Sequence, residues 1–531
     1  MSETFSILLP HVVLAVAGAL FLLAGTFSIN RRLFGPAAIG VLAVVGWLLY
    51  GSSLVLAEGG AIAVRSGAIT QGFQYCCLAL GALIILQSLS LQQEANSPTG
   101  EFYGLLLLLL DGLLLVSVAN DLIMLFLSLE LISIPTYVLL YLGRKDQRSQ
   151  EAAVKYFLLS IFSAAMLLYG LAFIYGLTGS TQFDAIQNVL TETYAPRDPD
   201  ALVPNPSILG VVALVLIFAG ISFKLAAVPF HFYAPDVYEG TSAFNAGILA
   251  VVPKAAGIIA LFRLVGHVTV GFEGTGQQLA LILAGVTMTG GNCLALLQTN
   301  VRRMLAYSSV AHAGYMLIGF AVGFWEQSQL HSGLSANAGS LGLPGGMQAS
   351  LLYLLAYSVA SVGLFGALIY LGRPGRQIEH IDDLTGLAKS QPIVAIAMAL
   401  FLFSMAGIPP LPGFWGKFSV FASALSVKQA VGEFGFQLHP AFAVLAVVGV
   451  LNAAIGGVYY LRLIALIFLH EPLGAPRPTG GRSAYAATLI AAVGVVLLGL
   501  VPGPVFHFLQ KSAGTANQTA TAATATSSEL P

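Results

Sequence analysis

Charge is what this sequence lacks most. Charged residues are 8% of the 531 positions, 22 Lys and Arg against 23 Asp and Glu, where a soluble globular chain carries about 25%. That deficit excludes a string of soluble domains. Cysteine is nearly as rare. Cys76, Cys77 and Cys293 all lie in apolar stretches, too few to ligate an iron-sulfur cluster, and adjacent cysteines seldom bridge. No two of the nine histidines stand at metal-ligand spacing on one helix. A glycine-rich dinucleotide turn, a P-loop and a nucleophile elbow are all missing. The chain is therefore expected to bring no cofactor, metal or nucleotide site of its own. The net charge of −1 says nothing about partners, and no nucleic-acid partner is expected.

What is abundant is apolar sequence, at 57%. Windows of 18 or more apolar residues recur at about fourteen places, each long enough for a hydrocarbon core of about 30 Å. They cover 5–27, 33–57, 72–92, 101–118, 121–142, 151–177, 207–228, 241–269, 276–297, 301–323, 347–371, 390–425, 438–470 and 483–511. In lipid the backbone must satisfy itself within each segment, so an all-α, polytopic membrane protein is predicted. Residues 1–511 form one membrane domain and the Thr/Ala-rich stretch 512–531 a disordered tail. Glu3 precedes span 1 in place of a basic region, which predicts a retained helix and not a signal peptide.

Basic residues set orientation. Arg31 and Arg32, then Arg144, Lys145 and Arg148, Arg302 and Arg303, Arg373, Arg376 and Lys389, and Arg477 and Arg482 all follow odd-numbered spans. Connections after even spans hold only Arg65, Arg197 and Lys428. Both termini are expected on the outer side.

A few charges lie where they are costly, at roughly 2.5–3.5 kcal/mol near a bilayer centre, and such groups usually face a protein interior or an ion path. Glu130 is central in span 5, and Lys224, Lys254 and Lys417 stand alone in long uncharged runs. Each is weighed against a satisfied or snorkelling side chain. For Lys155, near the inner end of span 6, the two readings balance. Asp111, in the middle of span 4, reads equally as a relay group or as a pairing residue. Lysine and glutamate can each gain and lose a proton, which arginine effectively never does.

Prolines interrupt two spans beside these lysines. Pro229 and Pro235 follow Lys224, and Pro409, Pro410 and Pro412 precede Lys417. Two broken helices in corresponding places point to inverted repeats, helices 4–8 (100–269) and 9–13 (276–470), with Lys224 and Lys417 as counterparts. Straight helices would leave Glu130 and Lys224 about 13 Å apart in depth at 1.5 Å per residue. Contact then requires tilt, a later start to span 7, or the break itself.

The stretches ANDLIMLFLSLELISIPTYVL (119–139), EAAVKYFLL (151–159), FKLAAVPFHFYAPDVYEGT (223–241), PKAAG (253–257), NVRRMLAYSSVAHAGYMLIG (300–319) and GIPPLPGFWGKF (407–418) resemble the antiporter-like membrane subunits of respiratory complex I, NADH:quinone oxidoreductase. The span 12 lysine favours the subunit N (subunit 2) branch. The resemblance implies a Glu130–Lys224 pair, a polar axis continued by Lys254, His312 and Lys417, and Lys155 at a matching position. It implies proton translocation coupled to quinone reduction elsewhere, with NADH, FMN, iron-sulfur clusters and quinone held by partner subunits. It also implies other membrane subunits of the complex and the lipid bilayer as partners, in a bacterial inner (plasma) membrane. The alternative is a subunit of an Mrp-type cation/proton antiporter. Where the family usually carries a Pro-Thr-Pro-like segment, this chain has Thr241 to Asn245.

Overall fold

The computed structural model describes residues 2–27, 30–53, 64, 66–93, 99–143, 146–194, 206–331, 344–372, 378–431, 435–472 and 480–511. The tail expected beyond 511 and the loop cations Arg65, Arg144, Lys145, Arg197, Arg373, Arg376 and Arg477 lie outside them.

Apolar runs become helices in order: α1 (Ser2–Gly25), α2 (Phe34–Ser53), α3 (Ala68–Ser88), α4 (Gly100–Val118), α5 (Leu122–Gly143), α6 (Gln147–Thr178), the short α7 (Phe183–Tyr194), α8 (Ile208–Leu225) and the short α9 (Tyr233–Gly240). There follow α10 (Ala243–His267), α11 (Glu273–Leu296), α12 (Val301–His331), α13 (Gly346–Leu371), the single turn α14 (Leu387–Ser390), α15 (Pro392–Ala406), α16 (Pro412–Ser426), α17 (Pro440–Leu469) and α18 (Gly481–Leu500). Among the described residues, thirteen helices are long and apolar enough to cross a membrane. The expected fourteenth, span 12, is split into α15 and α16. A short antiparallel pair, β1 (Lys428–Val431) with β2 (Gly435–Leu438), interrupts the helices before α17.

The centre and the rim differ in burial. The apolar windows of α10, α12 and α13 are buried over 89%, 94% and 94% of their residues, against 28% and 33% for α1 and α2. Helices enclosed on all sides can hold polar groups that lipid would reject, and these three carry Lys254, His312 and the tyrosines around them. The connection between α6 and α8 is not a bare loop. Phe183, Ile186 and Leu190 recur at helical spacing on the buried face of α7, a period visible in the sequence but weak beside the apolar spans.

Both breaks fall where proline removes a main-chain donor and bars the preceding residue from helix. The end of α8 is closed by Ala226 at φ 55° and that of α15 by Gly407 at φ 88°. Aligning the two left-handed residues corrects the sequence reading. Lys224 precedes its break by two residues and Lys417 follows its break by ten, so these lysines do not occupy corresponding positions. Proline density marks where a helix breaks, but not on which side of the break its charge stands.

Candidate functional site

Glu130 and Lys224 meet in spite of their expected stagger. Lys224 Nζ stands 3.7 Å from Glu130 Oε1, within ion-pair range and beyond hydrogen-bond reach. The same ammonium donates to Ser133 Oγ at 2.7 Å and to Leu129 O at 3.4 Å. Span 7 starts where expected, at Ile208, so a later start does not close the gap. Helical side chains lean toward their own N-terminus, so the lysine stem covers part of the stagger. The two partners differ in environment: the Lys224 side chain is 5% exposed and that of Glu130 22%. Glu130 lies on the open face of α5 beside Ile123, Leu127, Ile134 and Tyr141, all exposed.

Among the described residues, no carboxylate pairs with Lys254 or Lys417. Lys254 Nζ donates to Leu225 O, the last carbonyl of α8, at 3.0 Å and to Ser309 O at 2.6 Å. Lys417 Nζ donates to Met405 O at 2.9 Å and Ala406 O at 2.8 Å, the last carbonyls of α15. Each break therefore leaves carbonyls without helical partners at the negative end of a helix dipole, and a lysine takes them. The counterpart of Lys417 across the two breaks is thus Lys254, by the contact it makes.

Gly407 serves this arrangement twice. Its φ of 88° suits glycine, and a Cβ there would sit 2.8 Å from Lys417 Cδ. A left-handed non-glycine residue costs roughly 1–2 kcal/mol. Gly407→Ala is expected to lower the thermal unfolding midpoint of the protein by a few degrees and to displace the Lys417 ammonium. Differential scanning fluorimetry in detergent checks the first effect, and an unchanged midpoint would refute it.

His312, 4% exposed, sits between the two lysines in a cage of tyrosines. Its Nδ1 lies 2.7 Å from Tyr353 Oη and its Nε2 2.9 Å from Tyr460 Oη. Its ring centroid is 4.8 Å from that of Tyr357 and 6.2 Å from that of Tyr315. Lys254 Nζ faces the Tyr357 ring at 5.8 Å and Lys417 Nζ the Tyr315 ring at 5.1 Å. Tyr357 Oη donates to Ser309 Oγ at 2.9 Å, and Tyr460 Oη also bonds Ser308 Oγ. A small cavity beside His312 reaches Ser404, Met405 and Gly413 at the α15 break. A neutral imidazole has one donor and one acceptor nitrogen, so of the two hydroxyls one accepts from the ring and the other donates to it. Hydroxyls, imidazole and ammonium groups are thus spaced from one break to the other. The tyrosines were not read from the sequence, because a tyrosine in an apolar helix carries no signal of its own.

The comparisons with known proteins follow this geometry. The family described as NADH:quinone oxidoreductase/Mrp antiporter, TM, matches residues 119–336 and 330–437. The chain belongs to this family. Glu130, Lys155, Lys224, Lys254, His312 and Lys417 all fall inside the matched region. NADH-quinone oxidoreductase subunit N of Chloroflexus aggregans is 36% identical over 521 residues, covering 95% of this chain and 96% of its own. F(420)H(2) dehydrogenase subunit N of Methanosarcina mazei is 34% identical over 525 residues, covering 95% and 98%. A chain of respiratory complex I from Thermus thermophilus superposes with a TM-score of 0.72 at 29% identity, covering 94% of this chain and 98% of its own. A chain of the Mrp complex from Dietzia reaches a TM-score of 0.75 at 21% identity, covering 97% of each, which speaks for the shared fold alone. The expected resemblance to subunit N is thus established, as is the expected all-α membrane architecture of this family.

One family-motif residue stands away from the buried line. The Lys155 side chain is 41% exposed and pairs with Glu151 at 2.7 Å and Asp236 at 3.1 Å. Asp236 is shared with Arg303, whose Nη1 also reaches Glu239, at 2.8 and 2.9 Å. Arg302, counted from the sequence as a loop cation, is 1% exposed; it donates to Thr241 O and pairs with Glu379 at 3.3 Å. In the segment that departs from the family pattern, Ser242 Oγ accepts from Asn245 N at 3.2 Å and caps α10. Capping and the Arg302 bond hold this turn. Among the described residues, no group of three or more His, Cys, Asp and Glu could hold a metal ion.

Proposed function

We propose that this chain is the proton-translocating subunit N of a quinone-reducing respiratory complex, a translocase subunit without redox chemistry. The observation that supports it most is the Glu130–Lys224 contact at 3.7 Å on one side of the α8 break, with Lys254, His312 and Lys417 following across the interior. Glu130, Lys224, Lys254, His312 and Lys417 carry the proton path. Lys155 contributes at its surface end, through its ion pairs. When Glu130 engages Lys224, the ammonium is favoured; when it withdraws, the proton is released to the next acceptor, because an opposite charge within about 4–6 Å favours the charged form.

Residues 100–269 and 276–470 act as two half-channels, entered from opposite sides because each has an odd number of crossings. Both termini lie outside, in the plasma membrane of a bacterium. The electron donor is met by a partner subunit that holds the flavin, clusters and quinone. That two relatives of almost equal identity serve an NADH-named and an F(420)H(2)-named enzyme supports keeping the donor out of this chain.

The test is made on the assembled complex in vesicles. Lys224→Met and Lys417→Met are expected to leave assembly intact and to reduce proton uptake and the coupled quinone reduction by about tenfold or more each. Wild-type proton uptake in both variants would overturn the reading. Sodium uptake that replaces proton uptake would favour the Mrp-type antiporter.

A further inference from the structure

A buried pair outside the family-matched region has no part in the path just described. His11 Nδ1 on α1 lies 3.1 Å from Asp111 Oδ1 on α4, and both residues are 3% exposed or less. His11 Nε2 is buried and, among the described residues, has no hydrogen-bond partner. We propose that His11 and Asp111 form a second proton-binding site, with His11 Nε2 as the atom that takes the proton. The proposal rests on the translocating role of the chain given above.

Depth supports it. His11 lies nine residues beyond Ser2, Asp111 seven before Val118 and Glu130 eight beyond Leu122. At 1.5 Å per residue these are about 14, 11 and 12 Å from helix ends that alternation puts on one side. The pair and Glu130 therefore share a level of the membrane. The helices between them are in close contact there. A Cβ on Gly112, the neighbour of Asp111, would meet Ser128 O of α5 at 2.9 Å, two residues from Glu130. Polar groups continue toward the near ends of α3 and α4. Gln71 Nε2 is buried without a partner among the described residues, and Thr70 Oγ1 donates to Ser117 O at 3.4 Å.

The chemistry is a single proton transfer. With His11 neutral, its Nδ1–H donates to the Asp111 carboxylate, and the pair carries one negative charge. A proton arriving at Nε2 makes that charge zero. It is held either as imidazolium beside carboxylate or, after the Nδ1 proton moves to Oδ1, as neutral imidazole beside carboxylic acid. A mere tie between α1 and α4 has no use for a second, open nitrogen, whose burial costs about 1–3 kcal/mol.

Three variants of the assembled complex decide it. Asp111→Asn keeps an oxygen to accept from Nδ1 and removes the charge; its initial rate of proton uptake is expected to fall by roughly tenfold with assembly unchanged. The apolar pair His11→Phe/Asp111→Leu replaces the tie by packing and is expected to assemble and still not pump. Asp111→Glu, which keeps the acid, is expected to retain part of the rate. Wild-type rates in Asp111→Asn or in the apolar double variant overturn the proposal and make the pair a structural tie; if Asp111→Asn does not assemble, the double variant decides alone. Lys224→Met is measured alongside. Its loss of pumping while the Asp111 variants pump normally would sink only this site, whereas normal pumping in Lys224→Met would sink the translocating role itself.

Discussion

Glu130→Gln is expected to stop proton translocation by the assembled complex, with an initial rate lower by about tenfold or more, while Glu130→Asp keeps a measurable part of it. Glutamine is close in volume and can still accept a hydrogen bond, so packing around α5 survives. What it lacks is the charge that reaches Lys224 Nζ across 3.7 Å. Ser133 Oγ and Leu129 O remain to hold the ammonium, but neither can alter its own charge, so the lysine would no longer be driven between two states. Aspartate restores the charge at a longer distance. Because the two residues share one function, Glu130→Gln/Lys224→Met should lose less than the sum of the single losses on a logarithmic scale. Strictly additive losses would show that carboxylate and lysine act independently.

Removing His312 should have the second-largest effect. His312→Leu is expected to cut the proton uptake rate by about tenfold, with the complex assembled and the Glu130–Lys224 pair untouched. The imidazole bonds both the Tyr353 and the Tyr460 hydroxyl, and each of its nitrogens faces a different helix, α13 or α17. A proton accepted at one nitrogen can be matched by one released from the other, a transfer that no aliphatic side chain supports. Tyr460→Phe is expected to do less, since Nδ1 keeps Tyr353, at the cost of about 1–3 kcal/mol for an unpaired buried nitrogen. Normal pumping in His312→Leu alongside impaired pumping in Lys417→Met would mean that the two halves communicate by another route.

How far the sequence could be read depended on how far each signal lay from its background. Glu130, Lys224, Lys254 and Lys417 were legible because a charge in a long apolar run has few other reasons to be there. The helix breaks were legible because proline cannot donate. Position relative to a break was not, and so Lys224 was matched with Lys417, although the contact that recurs at both breaks is made by Lys254 and Lys417. Asp111 stands out in its span, but its partner lies 100 residues away on α1, and no local pattern selects one histidine among nine. Lys155 fits its motif, yet the motif does not show that its side chain ends among Glu151 and Asp236 at the surface. Two adjacent arginines after a span look like an anchor, and the burial of Arg302 depends on Thr241 and Glu379, both distant in sequence.

On the proposed path, Glu130 would be the input to the buried lysines, since its side chain is 22% exposed against 5% for Lys224 and Lys254 and Lys417 are buried. Lys254 and Lys417 are clasped by fixed main-chain carbonyls deep within the bundle, and the partners recorded for them cannot change charge. The carboxylate facing Lys224 opens onto an uncovered apolar strip of α5. A neighbour pressing on that strip could pull or release Glu130 without disturbing the core, and the remaining steps would follow in a set order from that end. Direction, on this account, is built into which member of the series is left within reach.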